Sequence, residues 1–73
     1  TTIFIRNRLI AIGNSGMKDC VSKIVPHLTD ETAIVRAASI WAIKQLVSKK
    51  KFEIIKENNL HLEKDHSVIS EWN

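Results

Sequence analysis

The segment from Ala33 to about Lys49 constrains the fold most, because it is apolar on nearly all sides. A helix that is hydrophobic nearly all round has to be packed on more than one side. A chain of 73 residues buries only about 60% of the surface that its unfolded form exposes. The sequence therefore predicts either helices on both flanks of this segment or a missing neighbour. Because the chain also opens without an initiator methionine, we expect residues 1–73 to be a single module of a longer protein.

Two segments upstream also have helical character. Ile3 to Ile12 is predicted as a helix of about three turns, although its β-branched residues would equally suit a strand. Gly13 is predicted as the left-handed residue that ends it. Met17 to Leu28 is the clearest amphipathic helix, and Pro26 is expected to kink or end it. Its apolar residues recur on one face: Val21, Ile24, Val25 and Leu28.

The remaining elements are predicted from caps and charges. Asp30 or Thr32 can cap the start of the apolar helix. The three lysines Lys49 to Lys51 are predicted to end that helix, where positive charge suits the helix dipole. Phe52 to Leu60 is predicted as another short helix, and Asp65 as the cap of a last helical turn.

An internal repeat relates the first predicted helix to the apolar one. Ile3–Gly13 aligns with Ile34–Lys44 at a shift of 31 residues. A period near 30 residues with a helix–turn–helix unit is typical of α-solenoids. The chain is therefore predicted to be all-α, an α-solenoid fragment of about one and a half to two repeats with roughly four to five helices.

Residues within this repeat unit resemble a known family. They are Ala-Ile-Gly-Asn-Ser-Gly at 11–16, Pro-x-Leu-x-Asp at 26–30 and Val-Arg-Ala-Ala-x-x-Trp-Ala-Ile at 35–43. These motifs resemble HEAT-like repeats of the phycobilisome-lyase type, and most of all the C-terminal HEAT module of epoxyqueuosine reductases. The tail from Asp65 to Trp72 is similar to that family's closing pattern of Asp, Val-Arg and x-Glu-Trp, with Ile69 in place of the arginine.

The resemblance implies a parent protein that is a cytoplasmic oxidoreductase of tRNA queuosine biosynthesis. Members of the family use cobalamin and two 4Fe-4S iron–sulfur clusters to reduce epoxyqueuosine to queuosine in tRNA. Their cysteine runs and cobalamin contacts belong to an N-terminal part that this sequence does not contain. The resemblance thus implies a noncatalytic C-terminal module without cofactors, which positions tRNA and docks on the parent's own catalytic domain. We expect it to be a monomer without membrane contact.

The residues themselves offer no catalytic or metal-binding pattern. Cys20 is the only cysteine, so it can form neither an internal disulfide nor a metal site that needs further sulfur ligands. His27, His61 and His66 share no metal-ligand spacing. No nucleophile–base arrangement is recognisable, and no span of about 18 apolar residues is present. These absences predict a noncatalytic module of the reducing cytoplasm.

The basic residues are the candidates for contact with RNA phosphate. A formal net charge of +3 permits a polyanionic partner without requiring one. The candidates are Arg6, Arg8, Lys44, Lys49, Lys50 and Lys51. The two arginines interrupt an apolar helix and so have to point outward, and the lysines cluster around a predicted helix end. Arg36 is predicted to pair with Asp30 or to cap its turn, with phosphate contact as the alternative.

Two other functions stay open. A protein–protein interaction scaffold would be indicated by an exposed apolar patch at Ile34, Ile40 or Trp72. A helix-turn-helix DNA-binding protein is disfavoured, because the apolar helix offers few polar side chains to a major groove. Trp41 could stack on bases, but its position within the apolar helix predicts packing in the core.

Overall fold

The computed structural model describes residues 2–73, and these residues form five α-helices. The helices are α1 (Thr2–Ser15), α2 (Val21–Ile24), α3 (Ala33–Leu46), α4 (Lys49–Asn59) and α5 (His66–Trp72). Three 3-10 segments connect them: Lys18–Cys20, Val25–Thr29 and Leu60–Leu62. Because the described residues contain no strand, the predicted all-α class with four to five helices is confirmed.

Helix α3 is the centre of the fold, since α1, α2, α4 and α5 all pack on it. The buried core draws more residues from α3 than from any other element: Val35, Ala38, Ile40, Ala42, Ile43 and Leu46. Leu9 of α1, Phe52 of α4 and Val68 of α5 close around them. The helices on both flanks of α3 explain why that helix is apolar nearly all round.

Gly13 lies inside α1, so its predicted role as the left-handed C-cap is wrong. The helix continues to Ser15, and the residue with positive φ is Gly16, at 72°. At Gly13, α1 passes very close to α3. A Cβ atom there would lie 2.6 Å from Cζ3 of Trp41 and 3.0 Å from Cα of Ala42. The glycine is therefore needed for the contact between two helices rather than for a turn.

The segment Met17 to Leu28 is not one amphipathic helix, as predicted, but a short α-helix between two 3-10 segments. Pro26 has no N–H to continue the α-helical hydrogen bonds, and it lies at the start of the 3-10 segment Val25–Thr29. The expected end of the helix near Pro26 is thus confirmed. Val25 turns outward as a result, whereas the other three members of the predicted apolar face are buried.

The lysines at 49–51 begin α4, and the prediction that they end the preceding helix is wrong. Helix α3 ends at Leu46, because Val47 and Ser48 have extended backbones. Ser48 then caps α4 by accepting a hydrogen bond from the Lys51 N–H at 3.2 Å. The positive end of the α4 dipole therefore lies at these lysines and is unfavourable for their charge. The sequence had predicted the opposite, with the lysines at the negative end of the preceding helix.

Asp65 caps α5, as predicted. Its Oδ1 accepts hydrogen bonds from the N–H groups of Ser67, at 2.9 Å, and Val68, at 3.4 Å. Asp30 Oδ1 accepts one from the Thr32 N–H at 2.8 Å, immediately before α3. Both acidic residues thus stabilise the chain turns that lead into helices.

Helices α1, α3 and α5 run in the same direction. Arg36 near the start of α3 binds Glu63, just before α5, and Lys44 near the end of α3 binds Glu71, near the end of α5. Gly13 lies against Trp41 near the C-terminal ends of α1 and α3, and Arg6 shares a groove with Ile34 near their N-terminal ends. A row of parallel helices, with the intervening segments returning the chain, is the arrangement expected of an α-solenoid. Assignment to the HEAT-like type stays a prediction.

Candidate nucleic-acid interface

Three of the six predicted RNA-binding residues form one exposed cationic segment, which we name the lysine turn: Lys49, Lys50 and Lys51. Within residues 2–73, none of these three ammonium groups lies within ion-pair distance of a carboxylate. They occupy the first turn of α4, where the dipole of the helix is equivalent to about half a positive charge. The dipole and the side chains therefore add to one positive potential.

A groove of about 300 Å³ extends this cationic surface toward the end of α5. Lys49, Lys56 and Lys44 line it, together with the aromatic rings of Phe52 and Trp72. The two rings pack with their centroids 5.5 Å apart and form a rigid floor. Glu53 supplies a carboxylate on the same helix, so the groove carries more positive than negative side chains.

Lys44 belongs to the predicted RNA-binding set but makes its contacts within the fold. Its Nζ donates a hydrogen bond to the carbonyl oxygen of Glu71 at 2.7 Å. The same ammonium group lies 5.3 Å from the centre of the Phe52 ring, within the range of a cation–π interaction. Lys44 thus joins α3 to α5, and less of its charge is available to a ligand than at the lysine turn.

The two predicted arginines lie away from the lysine turn. Arg6 and Arg8 are both exposed on α1, but residues two apart on a helix point about 160° away from each other. Arg6 is level with the start of α3, about 15 Å along the axis from Lys44. The structure therefore gathers the three lysines on one surface, with Lys44 beside them, and separates the arginines from them.

Arg36 makes the densest set of polar contacts, which we name the arginine clasp: Arg36, Glu63, and the carbonyl groups of Asp30 and Glu31. Nε and Nη2 donate to the two carboxylate oxygens of Glu63 at 2.9 and 3.1 Å. Nη1 donates to the carbonyl oxygens of Asp30 at 2.8 Å and Glu31 at 3.1 Å. The predicted capping of the turn by Arg36 is confirmed, through the Asp30 carbonyl group rather than the carboxylate.

Burial and hydrogen bonding act on Glu63 in opposite directions. The side chain is only 8% exposed, and burial alone would raise its pKa. Hydrogen bonds from Arg36 and from the N–H groups of Asp65 and Lys64 outweigh burial and lower the pKa below its ordinary value. Glu63 is therefore ionised at neutral pH. Sequence reasoning missed it, because it lies 27 residues from Arg36 and no local spacing connects the two.

The predicted apolar patch is only partly exposed. Ile40 and Trp72 are buried, whereas Ile34 is 51% exposed. Trp41 packs against Gly13 as predicted for a core residue, but one side of it lines a second groove beside Ile34. Of the three residues of the predicted patch, Ile34 therefore leaves apolar surface exposed, on the outer side of α3 beside Trp41.

The donor atoms of this chain do not fit an iron–sulfur cluster. Such a cluster needs about four thiolates, and Cys20 is the single cysteine. Nowhere in residues 2–73 do three or more His, Cys, Asp or Glu residues come together as metal ligands. In the same part of the chain, every helix is too short or too polar to cross a bilayer.

No known protein family, curated protein or solved structure matches this chain. The assignment to epoxyqueuosine reductases therefore stays a prediction from the motifs at 11–16, 26–30 and 35–43. What the geometry adds is an exposed lysine turn and a separate apolar groove.

Proposed function

We propose that this chain is a noncatalytic, HEAT-like module that binds tRNA by its phosphates, with the lysine turn as the main contact. The observation that supports this proposal is the position of the three lysines at the positive end of α4. Cations at that position destabilise a helix, by about 0.3–1 kcal/mol each at low ionic strength. Residues that oppose local stability are expected where function requires them.

The contact is electrostatic and does not read the base sequence. Lys49, Lys50 and Lys51 displace counterions from the RNA backbone, and Lys56 extends the contact into the groove between α4 and α5. Lysine binds phosphate as a point charge, without the planar fork that arginine offers to a base. Arg6 and Arg8 add contacts only to an RNA that wraps around α1.

The proposal extends to the parent protein, on the strength of the sequence motifs. In an epoxyqueuosine reductase of the cytoplasm, this module would hold tRNA against the catalytic domain, to which cobalamin and the two iron–sulfur clusters would belong. A coding sequence upstream of Thr1 with two Cys-x₂-Cys-x₂-Cys-x₃-Cys-Pro runs would support this parent. An upstream sequence without them would limit the proposal to an RNA-binding module.

The test is the salt dependence of RNA binding by the 73-residue chain. Fluorescence anisotropy would compare a labelled tRNA transcript with an unrelated folded RNA of the same length, between 50 and 200 mM salt. Three to six phosphate contacts predict a slope of log K against log salt between about −2 and −5, equal for both RNAs. Affinity that does not change with salt would overturn the proposal.

A protein–protein interaction scaffold is the second candidate function. It is favoured by the groove beside Ile34 and Trp41, which lies on α3 rather than at the lysine turn. The two functions use different residues and can be tested separately.

A further inference from the structure

The second groove lies on the outer side of α3, between α1 and α5, and encloses about 410 Å³. We name it the α3 groove. Its floor is Ile34, Ala37 and Trp41, which fall at i, i+3 and i+7 and therefore form one line along the helix. Arg6 of α1 stands on one wall and Glu71 of α5 on the other. The groove is thus an apolar channel with one cation and one anion on opposite sides.

The α3 groove is wide enough for the side chains of one face of a helix. Packed helices lie about 8–10 Å apart, so the axes of α1 and α5 stand at most about 16–20 Å from each other across α3. Because a helix with its side chains is about 10–12 Å wide, the space between α1 and α5 is narrower than a whole helix, and an occupant rests on α3 with one face in the groove. The alanine between Ile34 and Trp41 lowers the middle of the floor and leaves space for a side chain of the occupant.

The backbone of the groove also favours a helical occupant over an extended one. The floor and both walls are helices, whose N–H and C=O groups are paired within each helix. An extended peptide would bury backbone groups here without partners, and burying an unpaired backbone group is unfavourable. A helix brings its own backbone hydrogen bonds and needs only side-chain contacts.

The two charges set the direction of that helix. Arg6 precedes Gly13 by seven residues, or about 10 Å, and so lies at the Ile34 end of the groove. Glu71 lies toward the other end, because Lys44 binds its carbonyl oxygen. The negative C-terminal end of a helix is favoured near Arg6 and the positive N-terminal end near Glu71.

We infer that the α3 groove binds an amphipathic helix of a partner protein, antiparallel to α3. The helix presents an apolar stripe to Ile34, Ala37 and Trp41, an acidic residue to Arg6 and a basic residue to Glu71. This inference rests on the proposed scaffold function and specifies the kind of partner that the scaffold binds. It is independent of RNA binding at the lysine turn.

The test is selection of displayed peptides on the 73-residue chain. The library consists of peptides of about 18 residues with a fixed helical apolar stripe, in which the flanking positions vary among Glu, Lys and Gln. The expected winners carry a basic residue near the N-terminus and an acidic residue near the C-terminus. Selection on the Arg6→Glu variant should replace the acidic residue of the winners by a basic one.

The affinities of the winning peptides are then measured on two matched variants. Ile34→Glu should weaken binding about tenfold or more, as expected for a central apolar contact. Ile54→Glu is the control, because Ile54 is 53% exposed, close to the value for Ile34, and does not line the groove. Its affinity should equal that of the original chain, and thermal unfolding by circular dichroism verifies that both variants fold.

Four results would overturn the inference. The first is a selection without winners, or winners whose charges are random. The second is a preference for extended peptides in a parallel unpatterned library, which would keep the scaffold function but reject the helix. The third is a dimer in sedimentation that Ile34→Glu dissociates, which would make a second copy the occupant. The fourth is a loss of RNA affinity in Ile34→Glu as large as at the lysine turn, which would assign the groove to RNA.

Discussion

The two ends of α3 differ in how the chain uses charge. At the N-terminal end, Arg36 donates four hydrogen bonds, two to the Glu63 carboxylate and two to carbonyl groups of the preceding turn. Beyond the C-terminal end, Lys49, Lys50 and Lys51 point into solvent, and no carboxylate of residues 2–73 lies within ion-pair distance of them. The first cluster connects segments of the fold, and the second opposes the helix that carries it.

This difference changes how a basic composition should be interpreted. Arg36 and Lys44 contribute to the net charge of the chain, yet both are occupied by internal contacts. Only cations that the fold does not use are free for a polyanion, so the charge that bears on function is smaller than the composition suggests. Four variants test this division, in order of decreasing effect on stability.

The largest effect is expected from Arg36→Ala, which removes the arginine clasp. The free energy of unfolding should fall by about 2–4 kcal/mol, because Glu63 is left almost buried and without its cation. Urea unfolding followed by circular dichroism measures it. Arg8→Ala is the control and should change stability by less than about 0.5 kcal/mol. Equal losses in both variants would mean that the clasp does not hold the fold.

Glu63→Gln should have the next largest effect and should also change the pH dependence. The pKa of Glu63 is lowered in the folded state, so its contribution is present above its ordinary pKa of 4.5 and is lost as the pH falls through the folded value. The original chain should therefore lose stability as the pH falls below 4.5. The variant should be less stable by about 1–3 kcal/mol at pH 7 and should lose less on acidification.

The control for this measurement is Glu57→Gln, which removes an exposed carboxylate. Its acid unfolding curve should follow that of the original chain. Some acid sensitivity should persist in Glu63→Gln as well, because hydrogen bonds donated by the hydroxyl and N–H groups of Ser67 lower the pKa of Asp65. If Glu63→Gln lost as much stability at acidic pH as the original chain, the role of Glu63 as an ionised partner of Arg36 would be contradicted.

Lys44→Met should have a smaller effect, confined to stability. Methionine keeps an apolar stem over Phe52 but loses the hydrogen bond to Glu71 and the cation–π contact. The free energy of unfolding should fall by about 1 kcal/mol. The affinity for RNA should change less than in Lys50→Gln, as measured by anisotropy at the same salt concentration. A larger loss of RNA affinity in Lys44→Met would return Lys44 to the RNA contact.

Local signals were enough to predict much of this fold. The 3.6-residue pattern and the polar turns predicted where most of the helices lie, with the exception of the segment Met17 to Leu28. Asp65 caps α5, and the α-helix before Pro26 ends near it, as predicted. The apolar residues all round α3 predicted either helices on both of its flanks or a missing neighbour, and the structure shows helices on both flanks. Helix positions and caps depend on residues that are close in sequence. The packing around α3 could be predicted because that helix is apolar on several faces.

Two kinds of information were missing where the predictions were wrong: contacts with distant residues, and the backbone conformation of the residues just before the lysines. Gly13 resembled a helix end, but its role is set by Trp41 of another helix. The lysines at 49–51 resembled a C-terminus, and only the extended backbone of Val47 and the cap at Ser48 reverse that assignment. Glu63 meets Arg36 only through the tertiary fold, so the sequence predicted that Arg36 caps the turn but not that it pairs with Glu63.

The variant Lys49→Gln/Lys50→Gln/Lys51→Gln separates RNA binding from stability, since the lysine turn should bind RNA and should not stabilise the fold. Its matched control is Lys18→Gln/Lys23→Gln/Lys64→Gln, which removes the same charge from other exposed positions. Two measurements are made on both triple variants. Urea unfolding gives the free energy of unfolding, and anisotropy at several salt concentrations gives the affinity for tRNA. We predict that the lysine-turn variant unfolds with an unchanged or slightly higher free energy, while its salt slope falls by about 2. Equal loss of RNA affinity in both variants, or a fold destabilised by the loss of the lysine turn, would contradict the account.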